Sequence, residues 1–130
     1  MSIVIDASVV VVALTKLDQR GDWAGAVMAG EELIAPDLLP YEVTQVLRRL
    51  ERSGSISELR ARESFLVLDA LDVQLFPFDD LSERIWSLRH NLTSYDAAYI
   101  ATAEIAKAPL ATLDLKMTTQ TVDCEFLTPP

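Results

Sequence analysis

The sequence predicts an α/β fold in which helices cover both faces of one mostly parallel, five-stranded sheet. Short apolar segments of strand character alternate with longer helical segments along the whole chain, a pattern typical of parallel strands joined by crossover helices. The first strand, SIVID at residues 2–6, is apolar at consecutive positions, as expected of a strand buried on both faces. A chain of 130 residues suits one domain with a real core, so residues 1–130 are expected to form a single domain.

Three elements are predicted between the first strand and residue 37. ASVVVVALTK, residues 7–16, favours a buried helix, although by propensity alone its four valines also suit a strand. A second helix is predicted over residues 19–29. ELIAPD, residues 32–37, predicts the second strand, and Pro36 closes it.

The clearest predicted helix covers residues 37–54. One face of it carries an apolar stripe at helical spacing: Leu39, Val43, Val46, Leu47 and Leu50. Such a stripe predicts a helix packed on a core, and Gly54 supplies the backbone freedom that ends it. Three arginines project away from the stripe: Arg48, Arg49 and Arg52. They form either a solvated face or a basic strip for nucleic acid.

The second half of the chain continues the alternation. Ser57 begins the next predicted helix, within residues 55–71. A third strand is predicted over residues 72–78 and a helix over residues 79–92. The apolar residues of that helix are Leu81, Ile85, Trp86 and Leu88.

The last predicted helix contains the segment TSYDAAYIATA and covers about residues 94–107, with Ser94 as its N-terminal cap. The residues of the segment are small and apolar nearly throughout, but Asp96 lies in the first turn. A carboxylate there interacts favourably with the positive end of the helix dipole. The remaining predicted elements are a fourth strand at residues 108–114, a short helix or loop at 115–121 and a fifth strand at 124–129.

The overall charge restricts the ways in which the protein can bind nucleic acid. The 20 acidic and 11 basic residues give a formal net charge of −9, which argues against binding nucleic acid by bulk charge. Nucleic acid stays open as a transient substrate, because divalent cations in an acidic site present a positive surface to phosphate.

The sequence also gives expectations about location. No apolar run reaches the roughly 18 residues of a membrane span, and the N-terminal segment lacks the basic start and cleavage pattern of a signal peptide. The single cysteine, Cys124, excludes an internal disulfide and fits a reducing compartment. We therefore expect a cytoplasmic protein without membrane association.

Four carboxylates are predicted to meet at one edge of the sheet. Asp6 ends the first strand and Asp114 ends the fourth, while Glu42 and Asp96 lie in the first turns of helices. Carboxyl ends of parallel strands and the starts of following helices face the same way, and sites of open parallel sheets form there. Taken singly, each acid also fits a structural role as a helix cap, a turn residue or a partner of a helix dipole.

Expected burial favours a site over a structural role for two of these acids. Glu42 borders the apolar stripe of its helix, and the small residues after Asp96 leave that helix little exposed face. Buried carboxylates need partners, and no lysine or arginine adjoins either residue in the sequence. Protonation or a metal ion relieves the mutual repulsion of converging carboxylates. All-oxygen ligands suit Mg²⁺ or Mn²⁺. Such ions orient water and stabilise charge on a phosphodiester.

Other chemistries have little support in the sequence. The four glycines lack the spacing of a phosphate loop. A single histidine, His90, and the single cysteine argue against a zinc site. Ser8 has no histidine near it in the sequence, which argues against a serine–histidine–aspartate triad.

Four segments occur in the order and spacing of a PIN domain: IVIDASVVVVAL, APDLLPYEVTQVLRR, LTSYDAAYIATA and PLATLD. Within that superfamily the chain most resembles the VapC toxins of bacterial toxin–antitoxin pairs, over nearly its whole length. The resemblance implies a three-layer α/β/α fold and a Mg²⁺- or Mn²⁺-dependent endoribonuclease. The matching positions are the metal-binding acids Asp6, Glu42, Asp96 and Asp114 and the supporting hydroxyl residues Ser8 and Thr112.

The resemblance also implies partners. VapC-like proteins are usually homodimers, and a cognate VapB-like antitoxin covers the site and connects the complex to operator DNA. The implied partners are therefore RNA as substrate, an antitoxin, a second copy of the chain, and DNA only through the antitoxin. Many relatives carry an arginine directly after the fourth acid, where this chain has Leu115 and then Lys116.

Two other classes of function stay open at this point. A catalytically silent PIN-like binding module would act only through a partner, but the intact acids argue against it. An aspartate-based phosphotransfer protein also places an aspartate after its first parallel strand. Its phosphatase form requires a second aspartate two residues later, where this chain has Ser8, and its receiver form requires paired acids after that strand.

Overall fold

The computed structural model describes residues 1–130 as an all-parallel, five-stranded sheet with six α-helices. The strands are β1 (Ser2–Ile5), β2 (Glu32–Pro36), β3 (Val73–Phe76), β4 (Leu110–Ala111) and β5 (Phe126–Leu127). The helices are α1 (Ala7–Thr15), α2 (Gln19–Met28), α3 (Leu39–Arg52), α4 (Glu58–Ala70), α5 (Phe78–Ser87) and α6 (Ser94–Ala106), and a 3₁₀ turn covers Met117–Thr119. The predicted α/β class is confirmed. None of the helices has both the length and the apolar character that crossing a bilayer demands.

The strand order β3-β2-β1-β4-β5 explains the three layers. The chain moves outwards from β1 to β3 and then returns past β1 to β4. Because parallel crossovers are right-handed, helices α1–α4 lie on one face of the sheet, and α5 and α6 lie on the other. The packing agrees, since α1 contacts α2, α3 and α4, whereas α5 contacts α6.

The core is centred on β1, where consecutive apolar residues face both helical layers. Val4 and Ile5 are fully buried, and Val4 lies between Ile34 of β2 and Leu110 of β4. Burying a side chain of this kind contributes about 1.5–3 kcal/mol. The valines of α1 are also buried, so packing has outweighed their strand propensity.

Helix α3 has the predicted amphipathic arrangement. Leu39, Val43 and Leu47 are buried, and Val46 and Leu50 pack against the same core while remaining partly exposed. The helix ends as predicted, because Gly54 follows with a positive φ of 79°, a conformation that costs glycine nothing.

Two details around α5 and α6 differ from the prediction. Helix α5 ends at Ser87, and turns occupy the rest of the predicted helix. Trp86 is 68% exposed, and the Arg89 guanidinium lies 4.3 Å from its ring centroid. The cap of α6 is Thr93, not Ser94, because Thr93 has the extended backbone of an N-cap and its Oγ1 accepts from the Asp96 N–H at 3.2 Å.

The fourth and fifth strands are shorter than predicted, with two residues each. Asp114 therefore does not end β4 but lies three residues beyond Ala111. The physical reason is a turn, since Asp114 Oδ1 accepts from the Lys116 N–H at 3.0 Å. Aspartates favour turns because their side chains bond the backbone two residues on. The helix or loop predicted between the strands is the 3₁₀ turn.

Candidate active site

The carboxyl edge of the sheet has a crevice where the chain changes direction. The connection from β1 leads to β2 on one side, and β4 occupies the other side of β1. In open parallel sheets, ligands bind at such a switch point, beyond the carboxyl ends of the strands. Asp6 directly follows β1 and caps α1, so it lies at this crevice.

Asp6 is only 5% exposed, and both of its carboxylate oxygens accept hydrogen bonds. Oδ1 accepts from the Ser8 hydroxyl and from the Val9 N–H, the latter at 3.1 Å. Oδ2 accepts from the hydroxyl of Thr112. The capping role that the sequence left open is therefore real, and it coexists with a position at the crevice.

Ser8 and Thr112 connect Asp6 to the loop that carries Asp114. Thr112 is fully buried, and its Oγ1 also accepts from the Asp114 N–H at 2.9 Å. Ser8 Oγ accepts from the Leu113 N–H at 3.2 Å. Because each hydroxyl donates to Asp6 and accepts from the loop backbone, the two hydroxyls fix the loop relative to Asp6.

Glu42 lies half-buried in the first turn of α3, where its Oε1 accepts from the Tyr99 hydroxyl at 2.7 Å. Tyr99 is buried on α6, so this bond joins α3 to α6. Tyr99 is not among the predicted site residues. Its spacing of three residues from Asp96 places both side chains on one face of the helix, and that spacing is the signal in the sequence.

The carboxylates act on one another electrostatically. Burial raises the pKa of Glu42, and the charges of Asp6 and Asp96 raise it further, while the Tyr99 hydrogen bond opposes them. Burial also raises the pKa of Asp96, with Asp114 and Asp6 acting in the same direction. The pKa of Asp6 is raised by burial against the lowering effect of its hydrogen bonds. Asp96 thus lies within range of the charges of Asp6 and Asp114, and Glu42 lies within range of the charges of Asp6 and Asp96.

No cationic side chain neutralises this group. The two ion pairs of the structure join the N-terminus to Glu31 and Arg84 to Glu104, away from the crevice. As the side chains stand, no three acids surround one point closely enough to hold a metal ion. Mg²⁺ usually keeps several waters and needs only one or two carboxylates, so this oxygen-only donor set fits Mg²⁺ or Mn²⁺ chemically.

The three arginines of α3 do not face one surface. Arg49 borders a cavity of about 280 Å³ that Glu42 also lines. Arg48 borders a different cavity together with Glu51 and Glu58. Arg49 is therefore the arginine of α3 that adjoins the carboxylate site.

The structure thus defines an α/β protein with an all-parallel sheet and a group of carboxylates without ion pairs at its switch point. The chain belongs to the PIN-domain family, because the sequence model of the PIN domain matches residues 3–120. Ribonuclease VapC9 of Mycobacterium tuberculosis is 36% identical to it over 115 residues, which cover 88% of this chain and 87% of that protein. Ribonuclease VapC1 of the same organism is 40% identical over 120 residues, covering 88% and 86%.

Solved structures share the fold. VapC20 of Mycobacterium tuberculosis, a sarcin-ricin loop cleaving toxin, superposes with a TM-score of 0.69 at 18% identity, covering 93% of this chain and 96% of that one. VapBC2 of Rickettsia felis, bound to a DNA fragment from its promoter, gives a TM-score of 0.68 at 12% identity, covering 98% of each chain. The family resemblance and the three-layer fold expected from the four motifs are therefore confirmed.

Proposed function

We propose that the chain is a metal-dependent endoribonuclease that acts as the toxin of a toxin–antitoxin pair. The observation that carries this proposal is the carboxylate group at the switch point, which is oriented by hydroxyl groups and paired with no cation. The chain is 36% and 40% identical in sequence to two VapC ribonucleases, and this similarity supports RNA as its substrate.

Asp6, Glu42, Asp96 and Asp114 would hold Mg²⁺, with Mn²⁺ as an alternative. A divalent ion held there would supply water of lowered pKa and would stabilise charge on the phosphodiester. The chain contributes orientation. Asp6 is fixed by two hydroxyl donors and one N–H, and Glu42 is fixed by Tyr99.

The raised pKa values predict how the affinity for metal changes with pH. Without metal, burial and mutual repulsion let Glu42 and Asp96 keep protons at a higher pH than ordinary carboxyls. A metal ligand must be deprotonated. Metal binding therefore releases protons, and its affinity falls as the solution becomes more acidic.

The proposal includes partners and a location. A VapB-like antitoxin would neutralise the activity, and the chain would contact operator DNA only through it. The VapBC2 complex on promoter DNA, whose chain shares this fold, supports such an arrangement. The active form would be a homodimer in the cytoplasm, where a toxin meets the RNA of its own cell.

The proposal is tested with purified protein, total RNA and either Mg²⁺ or Mn²⁺, with sequencing of the RNA ends. We expect cleavage that EDTA stops and that Asp6→Ala and Asp96→Ala each abolish, together with growth arrest in cells. Asp22→Ala is the matched control. Asp22 is an exposed acid in the first turn of α2. Helix α1 begins at the crevice, and α2 begins beyond the opposite end of α1, so Asp22 lies away from the crevice.

Two outcomes contradict the proposal. Cleavage that survives both substitutions at the crevice would assign the activity to other residues or to a contaminant. A chain that binds a protein partner tightly but cuts no RNA with either metal is a catalytically silent binding module.

A further inference from the structure

Two exposed tyrosines flank the carboxylate site, and each directly precedes one of its acids. Tyr41 precedes Glu42 in the first turn of α3, and Tyr95 precedes Asp96 in the first turn of α6. The two tyrosines are 81% and 61% exposed. A single exposed aromatic residue needs no explanation, whereas two that border one cavity make a larger exposed patch, which is a feature typical of interaction sites.

That cavity has a volume of about 280 Å³ and is lined by both tyrosines, Glu42 and Arg49. It is close to the lower end of the range for small-molecule sites, about 300–1,000 Å³, which suits a nucleotide better than a protein segment. Arg49 lines the cavity together with Glu42 but forms no ion pair with it, so its charge is free to contact a phosphate in a chain whose net charge is −9. The cavity thus combines aromatic faces with a cation, the two features that recognise a nucleotide.

We propose that this cavity is a subsite for an unpaired base of the RNA, which stacks on Tyr41 and Tyr95 while Arg49 contacts an adjoining phosphate. The inference rests on the proposed ribonuclease function and adds a selection to it. Bases inside an A-form duplex are stacked on one another and are not available to side chains, whereas unpaired bases stack on aromatic rings. The subsite therefore selects single-stranded RNA over duplex RNA.

A protein partner is the competing occupant, because Tyr41 also borders a larger apolar groove of about 540 Å³ between α3 and α4. That groove is lined by neither an arginine nor an acid of the carboxylate site. The smaller cavity contains both. Charge and continuity with the acids thus favour RNA as its occupant.

The test measures RNA binding separately from cleavage, in an Asp96→Asn background that keeps both tyrosines and Arg49. The probes are a fluorescent single-stranded RNA of about 12 nucleotides and its matched duplex, followed by anisotropy. We expect Tyr41→Ala and Tyr95→Ala each to weaken single-strand binding roughly tenfold and to leave duplex binding unchanged. The corresponding phenylalanine variants keep the ring and should keep the affinity.

Two matched controls separate this subsite from the general surface. Trp86 is a similarly exposed aromatic residue on α5 that does not line the cavity, so Trp86→Ala should leave RNA binding unchanged. Arg49→Ala should lower the slope of log affinity against log salt by about 0.7, the value for one phosphate contact of a single strand. Arg48→Ala, one residue away but facing another cavity, should not.

Unchanged single-strand affinity in both alanine variants would overturn the inference. So would an equal loss for the duplex, or an equal loss in Trp86→Ala. If the tyrosine variants retain RNA affinity but lose self-association in sedimentation, the surface is a protein interface and the inference is overturned.

Cleavage by the wild-type chain is measured in parallel to separate the two proposals. Tyrosine-dependent RNA binding by a chain that never cuts RNA would refute the nuclease and support the subsite. Metal-dependent cleavage together with tyrosine-independent binding would support the nuclease and refute the subsite.

Discussion

Replacing Tyr99 by phenylalanine removes a single hydroxyl group that the structure places on Glu42. The ring is buried on α6 and its shape is unchanged by the substitution, so packing against the core is preserved. The hydroxyl donates to Glu42 Oε1 at 2.7 Å. Tyr99→Phe therefore tests whether orientation of Glu42 contributes to metal binding.

The expected magnitude follows from the charge and exposure of the acceptor. A hydrogen bond to a charged group contributes about 1.5–3 kcal/mol, and Glu42 is only half-buried, so water replaces part of the lost bond and the lower end applies. For a chain of this length, about 1.5 kcal/mol lowers Tm by roughly 6 °C. Mutation of residues that orient metal ligands lowers metal affinity or activity by about 10–100-fold. We expect Tyr99→Phe to lower the cleavage rate by a factor within that range.

The pH dependence of the loss has a definite sign. Among the groups that act on the pKa of Glu42, the Tyr99 hydrogen bond is the one that lowers it, so the pKa rises further in Tyr99→Phe. A protonated carboxyl no longer offers the charged acceptor. The stability difference between wild type and Tyr99→Phe should therefore shrink as pH falls through the raised pKa of Glu42.

The assay combines thermal melts, Mg²⁺ titration and cleavage rates in a double-mutant cycle with Glu42→Gln. If Tyr99→Phe lowers cleavage as much in the Glu42→Gln background as in the wild type, Tyr99 does not act through Glu42 and the reasoning fails. Tyr95→Phe is the control, because the exposed Tyr95 makes no hydrogen bond to Glu42 and should change neither stability nor metal affinity.

Three further predictions concern the same edge of the sheet. Asp96→Asn removes repulsion and should raise metal-free Tm while abolishing stabilisation by Mg²⁺, which in the wild type amounts to about 2.7 kcal/mol at roughly 100 times Kd; a lower Tm would favour a structural role. Thr112→Val removes a donor from Asp6 and an acceptor from the Asp114 N–H, so stability should fall by about 1–3 kcal/mol and cleavage by about 10–100-fold. Thr102→Val is its buried control, since Thr102 bonds only its own helix and cleavage should be unaffected. Because the raised pKa values make the folded acids bind more protons than the unfolded ones, metal-free stability should fall as pH rises from the ordinary carboxyl range through the raised values; a rising Tm over that range would contradict this.

The positions of three acids could be predicted because local pattern determines them. Asp6 follows from the end of a fully apolar run, and Glu42 and Asp96 follow from the starts of helices with recognisable stripes or small residues. Asp114 was placed wrongly at the end of a strand. Whether a strand continues depends on its neighbours, and only Leu110 and Ala111 pair with β1 and β5.

The contacts that orient the acids could not be predicted from spacing. Tyr99 and Glu42 are 57 residues apart in the chain, and Thr112 and Asp6 are 106 residues apart. Such pairs meet because α3, α6, β1 and β4 pack together, and no local periodicity encodes that packing. The identity of the N-cap was also missed, because Thr93 and Ser94 are both good caps and the backbone conformation decides between them.

The hydrogen-bond partners of the carboxylates argue for a cation at the crevice. Glu104 shows the alternative, since Arg84 donates to both of its oxygens at 2.7 and 3.0 Å and lowers its pKa. Asp6 and Glu42 instead accept hydrogen bonds from hydroxyl groups, and such bonds orient a carboxylate without cancelling its charge. Burial raises the pKa values of Glu42 and Asp96, and the mutual repulsion left in place raises them further, at a cost in stability without metal. A structural role would be served better by an arginine, so the crevice is better explained by a cation that arrives from solution.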